Sequence, residues 1–187
     1  MGSDQVTVRL QVGRPDVPIA TPEVATKPEA LDPNQLLLIY EDGRKRFGPA
    51  FNEAIIRDLQ RLDYQVSEVG LEYLDRADLE GISIPPQVIF VQESDLSCRT
   101  RQIEMSSGMF RALNLAIQLN YWAETNTQVC MLVDDIGEGL DFERATKLIA
   151  LLIDKAKKHR FQIIMTTNDR FVMNNVPARI LEYFIQT

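Results

Sequence analysis

A chain of 187 residues is long enough to bury the core of one ordinary domain. Hydrophobic residues make up 45% and charged residues 25%, which excludes a disordered chain. A formal net charge of -7 argues against the chain alone as a phosphate-backbone binder, and with no signal peptide or membrane-length apolar run a cytoplasmic protein with no membrane partner is expected.

Met1-Gly2-Ser3 reads as an addition ahead of the natural start. From Gln5 to Val12, Val6, Val8, Leu10 and Val12 alternate with polar residues, which predicts a half-buried strand. Prolines at 15, 18, 22, 28 and 33 remove backbone donors and make residues 13–35 an extended loop. Leu36 to Tyr40 reads as a strand and Glu41-Asp42-Gly43 as a turn. Arg44-Lys45-Arg46 then falls on a solvated hairpin edge, a plainer reading than a phosphate or nucleic-acid contact.

Pro49 to Leu62 carries a helical apolar stripe of Phe51, Ala54, Ile55, Leu59 and Leu62. Tyr64 to Val69 reads as a short strand and Leu71 to Leu79 as a weaker helix ended by Gly81. Pro85-Pro86 precedes a buried strand, Val88 to Val91, and Ser94 to Glu104 is a polar connection. Cys98 and Cys130 have no metal-ligand spacing, and Cys130 in an apolar run is expected to be a buried, reduced thiol.

A largely buried helix is expected from Gly108 to about Thr125, with Phe110 and Trp122 in its core. Val129 to Val133 is apolar throughout, the pattern of a central parallel strand covered on both faces. Asp141 suits the N-cap of a helix from Phe142 to His159, whose basic end complements the helix dipole; His159 there reads as a surface imidazole. Phe161 to Met165 is the next buried strand, Asp169 caps a short helix through Asn174, and Ile180 to Ile185 is a final strand. Strand, helix and strand with short links form a βαβ unit. The fold expected is α/β: a mainly parallel sheet with flanking helices over residues 87–187, plus a smaller N-terminal α+β part over 1–86.

Two stretches carry chemistry. Asp134 and Asp135 close a parallel strand, where open α/β sheets bind ligands; one carboxylate suits Mg²⁺ and the other a water. Strand-end aspartates also cap loops, a plainer use. Ser106-Ser107-Gly108 opens a helix, where free N–H groups and a hydroxyl suit an anion or serve as a simple N-cap.

In order and spacing these motifs resemble the C-terminal lobe of an ABC-type ATPase, most closely the RecF/SMC/OLD-like AAA ATPases of genome maintenance and phage defence. Met105-Ser106-Ser107-Gly108-Met109 is similar to the signature motif, Val133 to Asp141 to Walker B and the D-loop, and Thr167-Asn168-Asp169 to the switch motif. The resemblance spans roughly Val88 to Pro177. It implies a P-loop NTPase fold with ATP and Mg²⁺ as cofactors. Asp134 would hold Mg²⁺ through water, and Asp135 would stand at the general-base position. Ser106, Ser107 and the Gly108 amide would contact the γ-phosphate of ATP on a second protomer, in a homodimer. Asp141 would face that partner, and Asn168 would sense the γ-phosphate.

The chain departs from that pattern in three ways. Asp135 replaces a glutamate and Asn168 a histidine, and none of the nine glycines opens a G-x-x-x-x-G-K-[ST] P-loop. The expectation is therefore a lobe that hydrolyses ATP only when joined to a P-loop lobe of the same or another chain. The alternative is a non-hydrolysing binding or regulatory module. A weaker third reading is a nuclease-like Mg²⁺ site of Asp134, Asp135 and Glu138.

Overall fold

The computed structural model describes residues 6–10, 33–74, 87–125, 129–159 and 161–167. They fall into two compact units, one of residues 1–31 with 122–187 and the other of residues 32–121.

The second unit opens with helices α1 (Pro33–Phe47) and α2 (Pro49–Arg61), separated by Gly48 in the left-handed region at φ 66°. The expected strand at Leu36–Tyr40, the turn at Glu41-Asp42-Gly43 and the hairpin edge at Arg44–Arg46 are thus corrected to a single helix. Leu36 and Tyr40, four apart, are buried while Leu38 is 63% exposed, which is helical rather than strand periodicity. The ion pairs Glu41–Lys45 and Asp42–Arg46 bridge successive turns, and the basic run complements the helix C-terminus. In α2, Phe51, Ile55, Leu59 and the following Leu62 are buried as expected, and Ala54 is half-buried.

Strands β2 (Val66–Tyr73), β3 (Gln87–Glu93) and β4 (Arg99–Arg101) form an antiparallel sheet in that order. Leu71 to Tyr73 lie in β2, which corrects the start of the helix expected at Leu71–Leu79; residues 75–86 lie outside those described. β4 arises in the stretch read as a polar connection. Its arginines are drawn onto the sheet by Glu68 and Glu72 of β2, with Arg101 Nε 3.1 Å from Glu72 and Arg99 stacked 4.0 Å over the Phe90 ring. On the α-helical side, the Tyr40 hydroxyl lies 2.9 Å from both Asn52 Oδ1 and the Val69 carbonyl, and burial pushes the phenol up to about 12.

Helix α3 (Ser107–Thr125) is largely buried, as expected, though Phe110 and Trp122 are only half-buried. Asn120 Nδ2 donates to the buried Asp58 Oδ2 at 2.6 Å and ties α3 to α2. The hydroxyl of Tyr121 donates to Asp42 Oδ2 at 2.7 Å and ties α3 to α1.

The first unit holds β1 (Val6–Leu10), β5 (Cys130–Val133), α4 (Phe142–His159) and β6 (Gln162–Thr167). β5–α4–β6 is the expected right-sized βαβ unit, with β5 and β6 parallel. β1 pairs with β6 antiparallel, giving the order β1-β6-β5. A mainly parallel sheet is therefore corrected: among the described strands only β5 and β6 are parallel, in a mixed helix-and-sheet fold.

Met131, Val133, Ile163 and Met165 are buried on one face of the β5–β6 pair. On the other, Cys130 is exposed and Leu132 is 71% exposed. β5 is not covered on both faces and Cys130 is not a buried thiol, because a strand of alternating exposure buries every second residue whatever its composition. Among the described residues no helix is long and apolar enough to cross a membrane. The helix expected after Asp169 and the strand at Ile180–Ile185 lie outside the described residues.

Candidate functional site

The parallel register pairs Val133 with Met165, so the next residues along, Asp134 and Thr166, sit side by side at the C-terminal ends of β5 and β6. The Thr166 hydroxyl accepts the backbone N–H of Asp135 at 2.8 Å and donates its own proton to Asp134 Oδ1. The Thr166 carbonyl accepts the N–H of Ile136 at 2.9 Å. One threonine thus holds three consecutive residues.

Asp135 has φ 43°, a left-handed conformation uncommon outside glycine and best tolerated by aspartate and asparagine. It lies two residues beyond Val133, the last residue of β5. Glu138 donates its N–H to the Asp135 carbonyl at 2.9 Å, and Gly139 supplies a second positive φ of 74°. Asp134 is exposed and Asp135 half-buried.

Asp141 is the expected N-cap of α4: its Oδ1 accepts the N–H of Arg144 at 2.9 Å, and its carbonyl that of Ala145 at 2.9 Å. The Arg144 guanidinium closes back on Asp141 Oδ2 at 3.0 Å. The Arg144 N–H and then its charge hold the Asp141 carboxyl below its ordinary value of 3.8.

In the other unit Ser106 caps α3. Its Oγ accepts the N–H of Met109 at 3.2 Å and its carbonyl the N–H of Phe110 at 2.9 Å. Ser106 and Ser107 are exposed, and Gly108 is buried in the first turn. The N-cap use of Ser106 is therefore realised, with its hydroxyl oxygen taken up by the Met109 N–H.

Among the described residues no group of three or more His, Cys, Asp or Glu side chains could hold a metal ion. Asp134, Asp135 and Glu138 do not form the three-carboxylate cluster that a nuclease-like site needs, which corrects that reading. A pair of carboxylates does fit Mg²⁺ as it is usually held, by one or two carboxylates with substrate phosphates and waters completing the shell. Asn168 lies outside the described residues. Thr166 escaped the sequence reading; the one signal for it is the Thr-Thr pair that ends an apolar strand.

No protein-family model and no curated protein sequence matches the chain. Among solved structures, its fold is similar to the Smc head domain with a coiled coil and joint from Pyrococcus yayanosii, at TM-score 0.52 and 17% identity over 76% of this chain and 26% of that one. It is similar to the Smc head domain with an extended coiled coil from Pyrococcus furiosus, bound to the C-terminal domain of ScpA, at TM-score 0.51 and 17% identity over 76% and 35%. A third similar structure is an Smc head bound to the C-winged helix domain of ScpA, at TM-score 0.52 and 20% identity over 79% and 46%. The chain thus spans less than half the length of each of these structures.

Proposed function

We propose that the chain is the signature and Walker B lobe of an SMC-like ABC-type ATPase. It acts when a P-loop lobe, from the same or another polypeptide, and a second protomer complete it. The observation that carries this reading is the end of the βαβ unit, where parallel β5 and β6 bring Asp134, Asp135 and Thr166 together. The Smc-head fold supports it.

In this reading Asp134 would hold Mg²⁺ through water, and the ion would neutralise phosphate charge. Asp135 orients the attacking water and takes its proton. Ser106, Ser107 and the Gly108 amide present a hydroxyl and helix-end N–H groups to the γ-phosphate of ATP held by the partner protomer. Asp141 lies at the partner interface, and Asn168 contacts the γ-phosphate by hydrogen bonding alone, since an amide does not titrate.

The test pairs two proteins. The chain by itself should bind Mg-ATP weakly in a calorimetric titration and should not hydrolyse it, because two carboxylates offer negative charge to an anion. The polypeptide completed with its P-loop lobe should hydrolyse ATP. Tight Mg-ATP binding by the isolated chain overturns the two-lobe reading. Binding without turnover by the completed protein identifies a regulatory module instead.

A further inference from the structure

We infer that Thr166 is a positioning residue for cation binding by Asp134; this rests on the reading of Asp134 as the metal-holding carboxylate. The Thr166 hydroxyl has one proton and two lone pairs. The Asp135 N–H, 2.8 Å away, is aimed at a lone pair, so the proton is directed to Asp134 Oδ1. That donation fixes the carboxylate's rotamer, as outer-shell partners do for metal ligands.

The same hydroxyl steadies the Asp135 backbone where it is least favourable, at φ 43°. Together with the Ile136 N–H on the Thr166 carbonyl, it fastens the chain after β5 to the end of β6. Any residue at 166 supplies that carbonyl. Only a hydroxyl both accepts from Asp135 and donates to Asp134. Valine keeps the branched shape and strand preference but does neither. Serine does both.

The site sits at the end of β6, which closes at Thr167.

The experiment uses the full chain with Mn²⁺ alone as probe, read by paramagnetic broadening and water-proton relaxation, with thermal melts for every variant. Wild type should bind Mn²⁺ weakly, and Asp134→Asn should abolish that binding. Thr166→Val should weaken Mn²⁺ binding about 10–100-fold, as loss of an outer-shell partner does, and Thr166→Ser should restore it. If Asp134→Asn abolishes binding while Thr166→Val leaves it unchanged, even with a lower melting temperature, Thr166 is only a strand-end brace. That result overturns the inference and leaves the Asp134 reading intact. If wild type binds no Mn²⁺, or Asp134→Asn binds as wild type does, the inference and the Asp134 reading fall together. Should Thr166→Val not fold, Thr166→Ala with the serine variant answers the same question.

Discussion

Gly43 of α1 lies against the ring of Phe51 of α2, so close that a Cβ on Gly43 would stand 2.5 Å from the ring's Cε1 and Cζ. Phe51 is 1% exposed and boxed in by Tyr40 and Phe47, at ring distances of 6.1 and 6.0 Å. The buried ring would have to shift to admit a Cβ there.

Gly43→Ala should therefore destabilise the chain. Alanine gains about 1 kcal/mol of helix propensity, but overpacking costs about 1–3 kcal/mol. A net loss reaching roughly 2 kcal/mol is expected in urea denaturation. In a Phe51→Leu background the added methyl should cost less or turn favourable, because the two sites share one space. Equal cost in both backgrounds would show that the contact is not the cause.

Asn120→Ala removes a 2.6 Å hydrogen bond to the buried carboxylate of Asp58. A hydrogen bond to a charged group contributes about 1.5–3 kcal/mol, so a loss of at least that size is expected by chemical denaturation. A loss below a few tenths of a kcal/mol would mean that solvent or a neighbour replaces the amide fully.

Two substitutions separate the uses of Ser106. Ser106→Ala should cost about 0.5–2 kcal/mol through loss of the bond to the Met109 N–H. Ser106→Arg in the completed ATPase should block ATP-dependent association while the protomer stays folded, since a bulky cation cannot replace a hydroxyl beside bare N–H groups. Sedimentation with ATP decides; unimpaired association would leave Ser106 as a cap alone.

For Asp141 the sign follows from its depressed carboxyl. A group whose folded value lies below its ordinary 3.8 contributes stability that is complete above that value and is lost as pH falls through the folded value. Asp141→Asn keeps a capping oxygen but does not titrate. Its melting temperature should therefore fall less steeply than wild type as pH drops below 3.8. Parallel acid profiles would assign the shift elsewhere.

In the completed ATPase, Asp135→Asn should preserve ATP binding but cut turnover by roughly 10²–10⁴-fold, the usual contribution of a positioned base. Asp134→Asn should instead show a defect that shrinks as Mg²⁺ is raised. Steady-state hydrolysis across a Mg²⁺ series distinguishes them, and full turnover by Asp135→Asn would remove Asp135 from the base position.

By itself the sequence determined the elements whose signals are local. Pro49 and a periodic apolar stripe specified α2; Ser106 and Asp141 announced the starts of α3 and α4, and each makes the capping bond its position requires. The βαβ unit followed from short links and from aspartates closing an apolar strand. Tertiary structure decided what depends on distant partners. Glu41-Asp42-Gly43 is a helix because Gly43 admits Phe51, eight residues on, and no local rule distinguishes that glycine from one in a turn. Arg99 and Arg101 form a strand because Glu68 and Glu72 wait on β2, one strand beyond the β3 it pairs with. β1 turns the parallel pair into a mixed sheet by pairing with β6, more than 150 positions away in the chain. Thr166 acquires its place beside Asp134 and Asp135 only through the register of β5 on β6. The physical reason is common to all four: capping and periodicity act within a few residues, whereas close packing, cross-strand charge pairs and strand register exist only between segments that folding has brought together.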